Sequence, residues 1–546
     1  MPEEETITAP RPEATTRTSR PRPSLAHRVV PETGLATLWR APRDVKLLCA
    51  QRFVRMLGYG VTTLVLVAYL SCALGSGSGN GNGNEKTEIG LFMTLTLAGD
   101  VCVSFVLTLF ADEALGRRAT LALGALMMSG SGLAFALVSV GSSSSSSSDY
   151  YYWVLLLAAV VGVISPNGNE IGPFRAIEES IVAHLTPAEH RSDIYAWYSL
   201  LGLAGAALGS FLCGWTLQYL TESRGWAAMS SYRAAFAIYA VVGLLKLCLT
   251  LSLSPGVESE ASQKRRNMKK QKRNGTMITE GGGGEAARTN DEATPLLSDN
   301  NNDGRDDRPG APHQTTSPPS SNNRRRRIRA LLPDISRESI SVVAILCFLF
   351  GLDALGTGVN PMSWVTYYFQ WRFNIEKGTL GSIFFVTQLV GAASLILASS
   401  ISKRLGNVKT MVLTHLPAQV FRALIGVPGD ARLALLFCIL NASISSMDTA
   451  PRAAFLAAII PAGERTAVMG ALNVVKTTAA SLGPIATGLL VDHKLYWLSF
   501  VLGGTLKGLY DVGILVFFWH KEKERDRGAR QRAQHSDGQG DEEHTA

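Results

Sequence analysis

Apolar residues along this chain fall in runs of about twenty, not in the alternation of a half-buried strand or the single stripe of a surface helix. The runs lie near 50–74, 89–111, 119–140, 151–176, 194–219 and 234–254, and again near 341–369, 379–401, 410–427, 433–458, 467–490 and 496–519. A run of that length crosses a bilayer as a helix, because lipid offers the backbone no hydrogen-bond partner other than itself. The pattern predicts an all-α membrane protein of twelve transmembrane helices, arranged as two six-helix pseudo-repeated halves.

The polar stretches set the domain organisation. Residues 1–44 are polar and proline-rich and predict a disordered cytoplasmic tail; they lack the short apolar core of a cleaved signal peptide, so the first run is expected to insert as its own anchor. An N-terminal six-helix bundle over 45–254 is then followed by a disordered cytoplasmic linker over 255–340, rich in KRRNMKKQKR, GGGGE and NNRRRRIR segments with little apolar surface to bury. A C-terminal six-helix bundle over 341–519 and a cytoplasmic tail over 520–546 complete the chain. The Gly/Asn run from Gly75 to Asn84 and the serine run from Ser142 to Ser148 read as low-complexity insertions in short loops.

Composition agrees: 46% of residues are hydrophobic and 18% charged, and the charges crowd into the tails and the linker. The net charge of +8 could suggest nucleic acid, but the basic runs adjoin apolar blocks, where they face anionic lipid headgroups. Lys and Arg in the short loops are balanced between the two sides. The tails and linker break the tie and predict both termini in the cytoplasm. All seven cysteines lie in or beside apolar runs with no CxxC pair, which argues against disulfides and zinc.

The halves repeat one another. Pro187–Arg191 (PAEHR) and Pro461–Arg465 (PAGER) are 274 residues apart, and Gly209 and Gly214 recur at the same offset as Gly483 and Gly488. The loop after the second run, Ala111-Asp112-Glu113-Ala114-Leu115-Gly116-Arg117-Arg118, resembles the D-R-x-G-R-R loop of the major facilitator superfamily, with Glu113 where Arg is usual and one extra residue before the glycine. A degenerate copy, Lys403-Arg404-Leu405-Gly406, follows the eighth run. The resemblance covers roughly residues 45–520, and the fourth-run sequence SPNGNEIGPFRAIEES looks like that of fungal members. It implies a secondary transporter working by alternating access, with spans one, four, seven and ten lining a central cavity.

Two of those spans are interrupted. Span four carries Ser165-Pro166-Asn167-Gly168-Asn169-Glu170-Ile171-Gly172-Pro173, and span seven carries Gly356-Thr357-Gly358-Val359-Asn360-Pro361. Such breaks expose backbone polar groups, which at that depth must face protein or water. A charge at mid-bilayer costs at least about 2.5 kcal/mol, so intramembrane ions are expected to be paired or wet. Glu170, Asp353, Asp448 and Arg452, with Asn169 and Asn360 at the breaks, are the candidates for contacting solute or coupling it to protons, since a carboxylate in a partly dry cavity can exchange one. Asp100 and Lys476 are further buried charges without an assigned partner, and Arg52 and Arg55 lie close enough to the first interface to snorkel.

Arg175, Glu178 and Glu179, spaced for one helical face, can carry an ion pair near the end of span four. In the superfamily pattern they would form, with Asp112, Gly116, Arg117 and Arg118, a gate or conformational latch. Gly205–Gly209 is a GxxxG that lets another helix approach within the bundle, consistent with a monomer. Gly483-Pro484 resembles a motif of drug-exporting relatives, but in span eleven rather than span five. In the linker, Glu292, Leu296 and Leu297 have the spacing of an acidic dileucine signal for a sorting adaptor, so the residence is the plasma membrane or a vacuolar or endosomal membrane.

No GxxxxGK[ST], HExxH or GxSxG motif occurs, so neither an ATP-driven pump nor a familiar hydrolase is supported, and no cofactor or metal is expected. The expected partners are a small-molecule solute, protons and the lipid bilayer. The competing function is a non-transporting nutrient sensor on the same fold, signalling through its linker.

Overall fold

The computed structural model describes residues 35–75, 84–114, 116–138, 145–162, 164, 166, 173–258, 337–461 and 464–543. These form helices and turns, with no strand among the described residues. A six-residue helix, Leu35–Arg40, leads into α1 (Arg43–Gly75), α2 (Glu85–Ala114) and α3 (Arg117–Leu137). The fourth helix is in two pieces, α4a (Ser145–Val161) and α4b (Pro173–Leu185), and α5 (Arg191–Gln218) and α6 (Ala228–Leu251) complete the first half. The second half runs α7a (Arg337–Val359), α7b (Met362–Phe373), α8 (Lys377–Leu405), α9 (Asn407–Leu424), α10a (Ala431–Ser445), α10b (Thr449–Ile459), α11 (Arg465–Asp492) and α12 (Tyr496–Glu543).

Nine stretches among the described residues are long and apolar enough to cross a membrane, counting α7a with α7b and α10a with α10b. The pieces of α4, and α8 and α9, fall where the other three expected spans lie. The helix α12 continues well past the run ending near 519, through the basic segment to Glu543. Residues 1–34 of the amino-terminal tail and 259–336 of the linker, with the dileucine residues Glu292, Leu296 and Leu297, lie outside the described residues, while 35–40, expected to be disordered, are helical.

The distribution of polarity is that of a bilayer protein. Val241, Phe348 and Val516 are exposed, while Arg55, Glu178, Lys246 and Asp511 are buried. Water would reward the reverse; in lipid, the apolar side chains face the tails and the charges retreat to each other. With no hydrophobic force between helices in that medium, close packing at small residues holds the bundle together. Accordingly Gly205 and Gly209 of α5 lie against the carbonyls of Phe53 and Leu57 on α1, and Gly483 of α11 lies against Gly358 of α7a.

The repeat seen in sequence is carried by contacts. Gly209 meets α1 and Gly483 meets α7, while Gly214 touches Lys377 at the start of α8 and Gly488 touches Lys86 at the start of α2. Arg191 donates to the carbonyl of Ala183, and Arg465, 274 residues on, donates to that of Ala457, the residue 274 after Ala183. Gly116 and Gly406, which open α3 and α9, have φ of 86° and 87°, left-handed backbone that favours glycine.

Candidate functional site

In the first half, one carboxylate gathers four helices. Glu178 on α4b, fully buried, receives both terminal nitrogens of Arg55 on α1 at 2.6 Å each. It also accepts from the Tyr198 hydroxyl of α5 at 2.6 Å, and Lys246 of α6 lies 3.9 Å away. Arg52, one turn before Arg55, stacks over the Tyr198 ring at 4.9 Å. The expectation that Arg52 and Arg55 snorkel to the interface is therefore corrected: both are buried, Arg55 because a carboxylate across the bundle offers a charge-assisted bidentate partner and Arg52 against the Tyr198 ring. Arg175 pairs with Glu179 at 2.7 Å on the more exposed face of α4b, so the pair expected on this helix forms between those two while Glu178 turns to α1.

The second half carries a matching cluster with the signs exchanged. Asp353 on α7a receives Lys507 of α12 at 2.5 Å and Arg452 of α10b at 2.8 Å. Arg452 also pairs with Asp448, one turn earlier, and its guanidinium lies 5.5 Å from the Phe350 ring and 5.1 Å from that of Tyr510. Beside them, His415 of α9 is bonded to Asp511 of α12 at 2.9 Å. Thus α1 presents the cation and α4 the anion in one half, whereas α7 presents the anion and α10 the cation in the other. Glu178 and Arg452 are themselves 274 residues apart.

The interruptions find partners of their own. Asn360, at the break between α7a and α7b, donates to the Ser499 carbonyl at 2.8 Å and accepts from the Ser499 hydroxyl at 3.1 Å. The Thr487 hydroxyl satisfies the Val359 carbonyl, which the break frees from its helical partner. Ser363 donates through its hydroxyl to Pro166 at 2.6 Å, tying the α7 break to the α4 break across the two halves. A third break, the tight turn Ser446–Asp448 in α10, was not expected from sequence and sets Asp448 at the head of α10b.

Asn169, Glu170 and the side chain of Asp112 lie outside the described part of the structure. The backbone amides of Arg117 and Arg118 donate to Glu258 at 2.9 and 3.4 Å, so the first residues after α6 fold back onto the loop that resembles D-R-x-G-R-R. Sequence reading missed Lys246, Lys507, His415, Asp511 and Glu258. The signal for the first four was present, since each is an ionisable group inside an apolar run and such groups are functional candidates by default.

Cross-half hydrogen bonds cluster at the end remote from the chain termini. Asp492, at the end of α11, accepts from the amides of Lys86 and Thr87 at 3.0 and 2.7 Å and from the Thr87 hydroxyl at 2.6 Å, capping α2. On the other seam, Gln218 of α5 accepts from the Gly378 amide at 3.1 Å and donates to Glu376 at 2.9 Å, and Trp215 donates to Ser382 at 3.0 Å.

A family model, the Major Facilitator Superfamily, matches over residues 48–416 and 343–539. The chain belongs to the Major Facilitator Superfamily. It is an integral, multi-pass membrane protein with a transporter fold, not an enzyme. An uncharacterized membrane protein of Saccharomyces cerevisiae is 35% identical over 481 residues, 88% of this chain and 94% of the relative. Among solved structures, a D-xylose-proton symporter matches with a TM-score of 0.59 at 16% identity, covering 86% of this chain and 96% of its own. A POT family transporter in complex with a thioalcohol-conjugated peptide matches with a TM-score of 0.55 at 14% identity, covering 89% and 99%. At those identities the likeness is one of fold, and the superfamily scaffold hosts many substrates.

Proposed function

We propose that the chain is a secondary active transporter that moves a small solute by alternating access, its two halves rocking about a site on α1, α4, α7 and α10. The sign-exchanged clusters, Arg55 with Glu178 and Asp353 with Arg452, support this reading best. Buried ion pairs are weak devices for stability, and apolar residues of similar volume would often hold a bundle as well. Their placement beside three broken helices is what a solute path requires. The tight seam at the end remote from the termini, made by α2 with α11 and α5 with α8, suits a carrier closed on that side.

Proton coupling follows from the sharing of Arg452. Asp353 and Asp448 draw on one guanidinium, so Asp448 can take a proton without stranding Arg452. Glu170 and Asn169, in the α4 interruption, belong to the same path, and Asn360 positions α7. The gate or latch is placed on Asp112, Gly116, Arg117 and Arg118, now with Glu258, and on Arg175 and Glu179. The basic tails put both termini in the cytoplasm, and the halves span 45–254 and 341–519 about the 255–340 linker.

The test is flux in liposomes containing purified protein and a pH-sensitive dye, with a broad panel of solutes and Asp448→Asn and Glu170→Gln as paired variants. A solute that moves protons with the native protein, and moves without them in Asp448→Asn, upholds the reading. Well-folded protein that moves nothing across the panel sinks it in favour of a sensor.

A further inference from the structure

The charges around Asp353 do not balance. Four cations converge there from four helices: Arg452 and Lys507, both bonded to Asp353, with Arg422 of α9 and Lys476 of α11. Against them stand three carboxylates, Asp353, Asp448 and Asp511, the last bonded to His415, which leaves one cation in excess. Lys476 makes no hydrogen bond or ion pair among the described residues and rests its ammonium 5.7 Å from the Phe350 ring. The Arg452 guanidinium lies 5.5 Å from that same ring, so two like charges rest against one aromatic side chain. Arg422 also forms no hydrogen bond or ion pair among the described residues, and its Nε is buried without a partner.

A surplus of positive charge inside a membrane is costly unless something neutralises it. Lys476 is only partly buried. The first-half cluster leans the same way, with Arg52, Arg55 and Lys246 about the single carboxylate Glu178.

Resting on the transport reading above, we propose that the solute is a small organic anion whose negative group is received by Lys476 and Arg452 against the Phe350 ring. Protonation of Asp448 releases the Arg452 nitrogen that it holds, and the solute's anionic group takes that place. The proton moves onto the Asp448 carboxylate from the open side and leaves with the solute, so one proton and one anion cross together. A neutral sugar or a cationic amine offers nothing to relieve the repulsion between Lys476 and Arg452.

The experiment uses full-length purified protein in two formats. Uptake into proteoliposomes is measured from four radiolabelled pools: mono- to tricarboxylates, sugar phosphates, neutral pentoses and hexoses, and primary amines. The melting temperature in detergent is measured with citrate or glucose 6-phosphate against sodium chloride of equal ionic strength. Uptake from an anionic pool, falling on the order of tenfold in Lys476→Gln and restored in Lys476→Arg, supports the proposal, and the pool that moves tells carboxylate from phosphate. Uptake from the neutral or amine pool alone overturns it while leaving the transport reading intact. If no pool moves but an anion raises the melting temperature of the native protein and not of Lys476→Gln, the anion site stands and transport falls. If no pool moves and no anion stabilises, the anion proposal falls.

Discussion

Removing the carboxylate of Glu178 tests whether the first-half cluster is held by one buried anion. The side chain is fully buried, as is its partner Arg55 to within 2%, and no solvent is at hand to replace it. Glu178→Gln keeps the volume and one acceptor but removes the charge that faces Arg55 and Lys246 and accepts the Tyr198 hydroxyl. Stranding one member of a buried pair costs about 3–5 kcal/mol, roughly a hundred- to several-thousand-fold in the folding equilibrium. The neighbouring Glu179→Gln removes an i,i+4 pair whose side chains are 43% and 32% exposed, and such a pair is worth at most about 1 kcal/mol. The assay is thermal unfolding in detergent of the native protein, both single variants and the double variant Arg55→Gln/Glu178→Gln. Glu178→Gln should melt far below Glu179→Gln, and the double variant should regain part of the loss because the stranded cation is gone. Equal melting of the two single variants, or a double variant worse than the sum of its parts, would refute the assignment.

Three further outcomes follow from the same geometry. Asp353→Asn strands both Arg452 and Lys507, whereas Lys507→Gln leaves the Asp353–Arg452 pair in place, so the first should lower the melting temperature more than the second. Gly483→Ala would drive a methyl into the Gly358 backbone and should cost about 1–3 kcal/mol, while Gly470→Ala, with nothing within 4 Å, should stabilise by about 0.4–1 kcal/mol on the same unfolding curve. Asp492→Ala removes the cap on α2 at a cost of about 1 kcal/mol, and Gln218→Ala loosens the other seam; together they should raise the rate at which a small maleimide labels buried Cys213 in a background lacking the other cysteines.

The sequence discloses the spans and the repeat because both are written locally. Twenty apolar residues need no partner to be recognised, and a 274-residue offset survives in PAEHR, PAGER and two glycines since those residues serve the same contacts in each half. The break in α7 was legible for the same reason, as Gly356–Pro361 carries its own punctuation. The break in α10 is harder to read, because Ser446–Asp448 has neither proline nor an adjacent glycine and its mark lies downstream, where Pro451 lacks the amide that would bond the Met447 carbonyl. Arg55 was misread since its position close to a predicted interface suits either snorkelling or burial. Only the placement of Glu178, 123 residues away, decides between them.

The sign exchange between the halves bears on how such a repeat comes to carry a solute. If both halves kept Arg55-type cations on α1 and α7 and Glu178-type anions on α4 and α10, each cluster would satisfy itself equally and the site would have no polarity. Here the first half has one anion serving two cations and a tyrosine hydroxyl on three other helices, which fastens α1, α4b, α5 and α6 together. In the second half, one cation is split between two carboxylates on α7a and α10, and Lys476 has no ion-pair partner among the described residues. A fastened half and a half with exchangeable pairs are physically different objects: the first can move as a rigid body, and the second can trade an internal ion pair for a proton and a ligand. The asymmetry therefore assigns coupling chemistry to α7, α10 and α11 and rigidity to the α1–α4b–α5–α6 cluster, so charge-neutralising variants around Arg452 should alter flux, whereas those at Arg55, Glu178 and Lys246 should chiefly alter stability.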